Sequence, residues 1–331
     1  ISVFCMVFIY IFMDKFLKVL LFTVAKRQNA RDYTSIVLSG FVFLSFSVSS
    51  NNYIRAEGNP RAAMYVMAIG AMMNIILDPI FIFVLGMGMK GAAVATVISQ
   101  VISSIYVILY VLFGRSIFRL NISIFKIKFS AMKEMLSIGF PSFIRSAMAS
   151  IITLVFNKLL LFYGSDMYIA IMGVGLRMLS LIQMPLIGIT QGFSTIVSFN
   201  YGAKLYTRVK IVLRTAATWT IIIAGAGFLV MMIFPRFVIS LFSSDANLID
   251  EGIDILRIVI IFLPVVGVQM LGGGLFQAIG KVTPALILTI SRQVLFLIPA
   301  ALLLPLMRCL LKMSLSIPVS DFLSVAVTVF W

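Results

Sequence analysis

Residues 62–86 read AAMYVMAIGAMMNIILDPIFIFVLG, a run of 25 residues that contains a single charged side chain, Asp78. A helix that crosses the hydrocarbon core of a bilayer needs about 20 predominantly apolar residues. Comparable runs recur along nearly the whole chain of 331 residues, of which 62% are hydrophobic and only 11% charged. The mean hydropathy of +1.14 is far above that of soluble domains. The sequence therefore predicts an integral membrane protein whose partner is the lipid bilayer.

In lipid, every backbone polar group must be satisfied within the protein, so only helices and closed barrels span a membrane. The apolar runs lack the strict alternation of barrel strands. We therefore predict an all-α integral membrane protein. Its predicted spans are residues 1–13, 33–54, 62–86, 90–114, 136–163, 168–195, 209–234, 253–276, 282–305 and 314–331.

The charge and the residue types argue against several functions. The chain has no histidine, and its two cysteines, Cys5 and Cys309, do not have the spacing of metal ligands. A metal-dependent membrane hydrolase is therefore not expected. The net charge is +15, but basic residues that flank membrane spans more often set the orientation of the protein. We predict no nucleic-acid partner.

Short motifs recur at an almost constant separation, which indicates an internal repeat. RAEGNP around Gly58 resembles QAIGKV around Gly280, at an offset of 222 in the numbering. The other pairs are Asp32 with Asp254, Pro79 with Pro299 and Ser99 with Ser320, at offsets of 222, 220 and 221. We call the separation between Gly58 and Gly280 the repeat offset. We predict an N-terminal lobe at 1–114, a basic cytoplasmic linker at 115–135 and a C-terminal lobe at 136–331.

The repeat also gives an expectation about the ends of the chain. Residue 1 corresponds to residue 223, in the middle of the predicted span 209–234. The N-terminal lobe then lacks two helices and half of a third, and the chain is expected to be an N-terminally truncated fragment. The intact parent is expected to have 12 helices in two parallel-repeat bundles, of which about 9.5 to 10 lie in this chain.

Asp78 is the one acid that lies clearly inside a predicted span. An aspartate at the centre of a membrane helix costs about 2.5 to 3.5 kcal/mol on insertion scales, and such residues commonly mark ion or proton paths. Asn74 lies four residues earlier on the same helix face. Pro79 cannot donate a backbone hydrogen bond and is expected to kink the helix. Thr96 has a similar predicted depth in the next helix, so the three polar side chains can share one pocket on an ion or proton path.

The alternative role of these residues is structural. Asn74 and Thr96 then form hydrogen bonds that pack helices, and Asp78 is a partner of one of them. Small residues from Gly91 to Ser99, at four-residue spacing, predict a close approach between helices.

The order and spacing of several motifs closely resemble the multidrug and toxic compound extrusion family of secondary transporters. In the first half these motifs are RAEGNPRAAM at 55–64, NIILDPIFIF at 74–83 and GMKGAAVATVISQ at 88–100. In the second half they are GFPSFIR at 139–145, QMPLIGITQGFSTIVSFNYGAK at 183–204, FQAIGK at 276–281 and SRQVLFLIP at 291–299. The resemblance covers nearly all of the chain.

The resemblance implies a multi-pass protein of the bacterial plasma membrane rather than an enzyme. Such a transporter has two six-helix bundles around a central cavity and exports cationic, amphipathic small molecules in exchange for H⁺ or Na⁺. It implies no cofactor, and we expect a monomer. Asn74, Asp78 and Thr96 match the family pattern of a first-lobe cation or proton site, which an acid in the first helix usually completes. Some branches of the family instead use acids in the seventh and tenth helices. The corresponding predicted spans here, 136–163 and 253–276, carry no acid beyond Asp254, which favours coupling through the first lobe.

Polar side chains of the second lobe are candidates for a substrate cavity, although each has a structural role as its alternative: Asn157, Gln183, Gln191, Gln269 and Arg292. Arg292 can repel cations, pair with an acid or extend to the membrane surface. Asp321 is the only acid besides Asp78 that is not readily assigned to a helix end or a loop.

Two other functions are open as alternatives. The first is a lipid-linked oligosaccharide flippase of related architecture, for which an arginine-lined cavity is expected. The second is a membrane-embedded transferase, which needs clustered acids or histidines at the membrane surface. The dispersed acids and the lack of histidine favour a transporter.

Overall fold

A computed structural model of the protein describes residues 2–20, 24–114, 116, 129–163, 166–242, 245–303 and 315–330. All regular secondary structure in these ranges is helical. The predicted all-α class is therefore confirmed. The chain divides into two compact units, Ile1–Lys126 and Ile127–Trp331, which we call the N-terminal and the C-terminal unit.

The N-terminal unit contains α1 (Ser2–Leu20), α2 (Val24–Ala56), α3 (Pro60–Pro79), a π-helical segment (Ile80–Val84) and α4 (Gly88–Phe113). Helix α4 packs against both α2 and α3. Small and β-branched side chains such as Ala63, Val66 and Val107 are fully buried between these helices together with Ile54. Close packing of small residues is the usual way in which membrane helices associate.

Two local signals fix the turn between α2 and α3. Gly58 has a φ of +84°, a conformation that glycine adopts without a steric penalty. The amide of Asn59 then donates to the carbonyl of Ile54 at 3.2 Å, which caps the end of α2. The Asn59 side chain accepts from the amide of Ala62 at 3.1 Å, and Pro60 occupies the first turn of α3.

The C-terminal unit contains α5 (Phe129–Tyr163), α6 (Asp166–Gly202), α7 (Tyr206–Ile233), α8 (Pro235–Ser240), α9 (Ala246–Ile260), α10 (Leu263–Ala278), α11 (Val282–Ile290), a second π-helical segment (Ser291–Leu297), α12 (Ile298–Leu303) and α13 (Ser316–Phe330). Its largest apolar core joins α6 to α9 and includes Met178, Ile255 and Ile260. Helix α10 packs against α6, α7, α11 and α13.

Every predicted span contains a helix, but the eighth prediction was wrong in form. The helix predicted at 253–276 begins earlier and is broken into α9 and α10, whose axes differ by 44°. Pro264 lies in the first turn of α10, two residues after the break at residues 261–262. Pro264 has no amide N–H to donate to the carbonyl of Ile260, four residues earlier, and its ring clashes with that carbonyl in a continuous helix.

In the described residues, seven helices are long and apolar enough to cross a membrane, or eight if the bent pair α9 and α10 is counted as one span. Ser2–Met13 and Ser316–Thr328 are shorter apolar helices. Helix α5 begins at Phe129, so the last residues of the predicted linker 115–135 are helical. Residues 115 and 117–128 lie outside the described residues.

The helix boundaries follow the repeat offset found in the sequence. Helix α2 spans Val24–Ala56, and the broken pair α9 and α10 spans Ala246–Ala278, so both ends are related by this offset. The first residue of α3, Pro60, and the first residue of α11, Val282, are related in the same way. The repeat offset therefore relates both the sequence motifs and the helices that contain them.

Candidate functional site

Asn74 and Asp78 form a hydrogen-bonded pair on α3. The side-chain Nδ2 of Asn74 donates to Oδ1 of Asp78 at 3.2 Å, and both residues are half-buried. Four residues make slightly more than one helical turn, so the two side chains lie one above the other on the same face. The sequence prediction that the two residues share a face agrees with this contact.

The backbone changes its winding directly after this pair. Pro79 ends α3, and residues Ile80–Val84 continue as a π-helical segment. The amide of Leu85 donates to the carbonyl of Ile80, five residues back, at 2.9 Å. Pro185 lies within an α-helix that continues without such a change. Of these two prolines, Pro79 is the one followed by π-helical winding, which is often found at functional sites.

Helix α4 closes on this π-helical segment at Gly91. A Cβ atom added to Gly91 would lie 2.5 Å from the carbonyl oxygen of Phe81 and 2.7 Å from its carbonyl carbon. Gly91, Ala95 and Ser99 are all buried. The predicted stripe of small residues thus has a close contact at its first member, and the contact fixes α4 against the segment that follows Asp78.

Thr96 lies on α4, half-buried, and its hydroxyl donates to the carbonyl of Ala92 in its own helix at 2.8 Å. This bond uses the donor of the hydroxyl but leaves oxygen lone pairs that can accept. The three predicted site residues thus comprise one bonded pair, Asn74 with Asp78, and a threonine on the helix that packs against α3. Their role in ion binding stays a prediction.

The oxygen atoms of these residues suit H⁺ or Na⁺ better than a transition metal. Hard cations prefer carboxylate, amide and hydroxyl oxygens, which Asp78, Asn74 and Thr96 provide. Among the described residues there is no group of three or more histidine, cysteine, aspartate or glutamate side chains that could hold a metal ion. A carboxylate with neutral oxygen neighbours would suit a monovalent cation.

Three of the candidates for a substrate cavity lie on two packed helices of the C-terminal unit. The side chain of Asn157 lies outside the described residues. Gln183 and Gln191 lie on α6 and Gln269 lies on α10, and all three are half-buried. Helices α6 and α10 pack against each other. Their role as substrate contacts stays a prediction.

Arg292 has a defined partner. Its Nε donates to Oδ1 of Asp321 at 2.7 Å, which joins the second π-helical segment to α13. Sequence reasoning named an acidic partner as one possibility for Arg292 and could not assign Asp321 to a helix end, but it did not connect the two. The signal that could have connected them is that two neighbouring predicted spans each contain one charged residue inside the span, the basic Arg292 and the acidic Asp321.

Comparison with known proteins places this arrangement in a family. A sequence model described as MatE matches residues 1–80 and 141–303, which is more than half of the chain. The chain belongs to the MatE family. It is 29% identical over 266 residues to the probable multidrug resistance protein NorM of Thermotoga maritima, covering 79% of this chain and 57% of that protein.

Further similarities agree with this family. The chain is 30% identical over 254 residues to the multidrug export protein MepA of Staphylococcus aureus strain MSSA476, covering 76% of this chain and 54% of that protein. The solved structure of the MATE multidrug transporter DinF-BH has a TM-score of 0.85 and 37% identity, over 93% of this chain and 69% of that one. The chain spans somewhat more than half the length of the curated relatives it matches.

Family membership confirms several predictions. MepA is named as a multidrug export protein and DinF-BH as a multidrug transporter, and the prediction that the protein is not an enzyme is confirmed. Together with the apolar helices, the bacterial relatives confirm a multi-pass protein of the bacterial plasma membrane.

Proposed function

We propose that the protein is a secondary antiporter that exports cationic, amphipathic small molecules in exchange for H⁺ or Na⁺, with Asp78 and Asn74 at the coupling site. One observation carries this proposal. Within a span long enough to cross the membrane, a carboxylate accepts a hydrogen bond from Asn74 and lies directly before a change from α-helical to π-helical winding. A change in the charge of Asp78 would therefore act next to a distorted part of the backbone.

The coupling chemistry follows from the cost of an isolated charge in the membrane. A carboxylate in a span is unfavourable unless a cation or hydrogen bonds compensate its charge. When Asp78 is ionised, Asn74 donates one hydrogen bond to it. Binding of H⁺ removes the charge, and binding of Na⁺ neutralises it. Either event removes the need for hydrogen-bond donors or a cation to compensate the charge of Asp78. A conformation that provides this compensation is therefore favoured when the ion is absent, and binding of the ion shifts the equilibrium towards another conformation.

The proposed substrate class follows from the relatives. Matched proteins are named for multidrug resistance and multidrug export, and one solved neighbour is a multidrug transporter. The hydrogen-bond partner of Asp78 is the neutral side chain of Asn74 rather than a basic residue. The negative charge of Asp78 can therefore attract either a coupling cation or a positively charged substrate, which suits the exchange of one for the other. Export by alternating access then requires that the coupling ion and the substrate favour different conformations.

The test is ethidium efflux by the protein expressed from its complete reading frame in an efflux-deficient bacterial strain. We expect Asp78→Asn to reduce ion-driven efflux at least about 10-fold, because loss of a charge-assisted interaction is worth about 1.5 to 3 kcal/mol. Asp250→Asn is the matched control. Its carboxylate forms an exposed ion pair with Arg236, at 3.5 Å, in the C-terminal unit. Undiminished ion-driven efflux in Asp78→Asn would overturn the coupling role.

Proteoliposomes then identify the coupling ion. Ethidium movement driven by an imposed pH gradient at constant Na⁺ assigns H⁺, and movement driven by a Na⁺ gradient at constant pH assigns Na⁺. A protein that moves a fluorescent lipid-linked sugar across the bilayer, but not ethidium with either gradient, would be a flippase instead.

A further inference from the structure

Arg292 and Asp321 form an ion pair inside the helical part of the C-terminal unit. The distance from Nε to Oδ1 is 2.7 Å, which is typical of a strong, charge-assisted hydrogen bond. The Asp321 side chain is only 5% exposed, whereas that of Arg292 is 25% exposed. The pair links the π-helical segment Ser291–Leu297 to α13, 29 residues further along the chain.

Stability of the fold is a weak explanation for such a pair. Two charges lose their hydration when they are buried, and their attraction often does no more than offset this loss. Replacement of a buried ion pair by apolar side chains of similar volume is often neutral or stabilising. Ionisable residues within membrane helices are, moreover, commonly functional.

The internal repeat shows how the corresponding helices of the N-terminal unit pack at the position that Arg292 has in the C-terminal unit. At the repeat offset, Arg292 corresponds to Gly70, and Ser320, the residue before Asp321, corresponds to Ser99 at the offset of 221 given above. Gly70 and Ser99 are neighbours in the N-terminal unit. A Cβ atom added to Gly70 would lie 3.9 Å from the carbonyl oxygen of Ser99, and it would collide with the hydroxyl of Ser103. The N-terminal unit thus packs these helices through small residues, whereas the C-terminal unit has a charged side chain at Arg292 and an ion pair next to the position that matches Ser99.

The π-helical segment itself carries a second irregularity. Oε1 of Gln293, next to Arg292, is buried and has no hydrogen-bond partner among the described residues. A buried acceptor without a partner is unfavourable and uncommon in folded proteins. A different arrangement of the segment could supply a donor to Gln293. The irregular winding and the unmet acceptor both favour a segment with more than one stable arrangement.

We propose that the Arg292–Asp321 pair is a charge clamp that holds the π-helical segment Ser291–Leu297 on α13, and that this clamp opens and closes again in each transport cycle. Arg292 and Asp321 are positioning residues in this proposal, and the proposal rests on the transport function proposed above. The partly exposed side of Arg292 is where the pair is accessible to a competing partner. The clamp is closed in the structure.

The first experiment separates a clamp from a structural contact. Arg292→Met or Asp321→Leu alone should lower both the yield of folded protein and ethidium efflux, because each leaves one buried charge without its partner. The double variant Arg292→Met/Asp321→Leu should unfold thermally at or above the wild-type temperature, yet transport ethidium at least about 10-fold more slowly. Wild-type efflux from a stable double variant would overturn the clamp and make the pair structural.

The second experiment tests whether the clamp must open. In a background with Cys5→Ala and Cys309→Ala, the double variant Arg292→Cys/Asp321→Cys is treated with a short bis-methanethiosulfonate cross-linker. Each cysteine thiolate forms a disulfide with the linker and displaces methanesulfinate, and a thiol reductant later releases the link. The comparison is between linked and reduced protein of the same variant, so any loss caused by the substitutions cancels. We expect linking to reduce residual efflux at least about 5-fold and reduction to restore it. Equal efflux in the linked and reduced states would overturn the proposal.

The controls distinguish this inference from the proposed transport function. If the wild-type protein shows no ion-driven efflux, the transport function itself fails. If the wild type transports and the Asp78→Asn variant does not, while the linked and reduced proteins transport equally, only the clamp fails.

Discussion

Gly58 and Gly280, which are related by the repeat offset, end their helices with the same backbone geometry. Their φ angles are +84° and +75°. In each case the following amide donates to the carbonyl five residues back, Asn59 to Ile54 at 3.2 Å and Lys281 to Phe276 at 2.9 Å. This helix end requires a left-handed residue. The motif RAEGNP and its partner QAIGKV thus recur because both units need the same turn between two packed helices.

We predict that Gly58→Ala and Gly280→Ala each destabilise the protein. A side chain in the left-handed region costs about 1 to 2 kcal/mol, so the thermal unfolding midpoint in detergent should fall by a few degrees. Gly225→Ala is the matched control. Gly225 lies inside α7, and no atom is within 4 Å of the position that its Cβ would take. That substitution should leave the midpoint unchanged or raise it. Equal effects at Gly58 and Gly225 would contradict the prediction.

Much of this fold follows from apolar length and small motifs. Every predicted span contains a helix, because about 20 apolar residues in lipid have few structural alternatives. The break between α9 and α10 was missed, although Pro264 lies at the break. A proline does not by itself show whether a helix bends, since α6 continues through Pro185. Packing against neighbouring helices decides the outcome, and a single sequence does not contain that information directly.

The site was predictable to the extent that it is local. Asn74 and Asp78 are one helical turn apart, so their contact follows from helix geometry. Arg292 and Asp321 are 29 residues apart on different helices, and their pairing depends on how those helices pack. The π-helical winding after Pro79 was predicted only as a kink, because proline removes a hydrogen bond without specifying the winding that replaces it.

We predict that Gly91→Ala reduces transport by displacing α4 from the first π-helical segment. The new Cβ would meet the carbonyl of Phe81 at 2.5 Å, which is closer than real Cβ contacts, and a backbone carbonyl cannot rotate away. We expect a loss of about 1 to 3 kcal/mol in stability and slower ethidium efflux. Gly188→Ala is the control, because no atom lies within 4 Å of its added Cβ. Full efflux and stability in Gly91→Ala would show that α4 can move without consequence.

Thr96 offers a test between a ligand and a packing residue. Its hydroxyl donates only to Ala92 in its own helix among the described contacts. If the hydroxyl oxygen also binds the coupling ion, Thr96→Val should slow ion-driven efflux about 10-fold or more, whereas Thr96→Ser should retain most of it. Valine keeps the shape of threonine but lacks the oxygen. Wild-type efflux in Thr96→Val, measured at equal amounts of protein in the membrane, would assign Thr96 to packing alone.

Pro79 is predicted to limit stability and support transport. Alanine at this position restores a backbone donor in a helix where proline can cost about 3 kcal/mol. We expect Pro79→Ala to raise the thermal unfolding midpoint, because α-helical winding can then continue beyond Asp78. We expect the same variant to slow ethidium efflux, because the segment Ile80–Val84 loses the irregular winding that makes it responsive to the charge of Asp78.

Pro185→Ala is the matched control for this prediction, since Pro185 lies within an uninterrupted α-helix of the C-terminal unit. The same substitution there also restores a backbone donor, so it should stabilise the helix without a comparable loss of efflux. Equal loss of efflux in the two variants would mean that helix stiffness in general, rather than the π-helical segment after Asp78, limits transport. A stabilised Pro79→Ala variant with normal efflux would remove Ile80–Val84 from the coupling mechanism and leave the carboxyl of Asp78 to act without it.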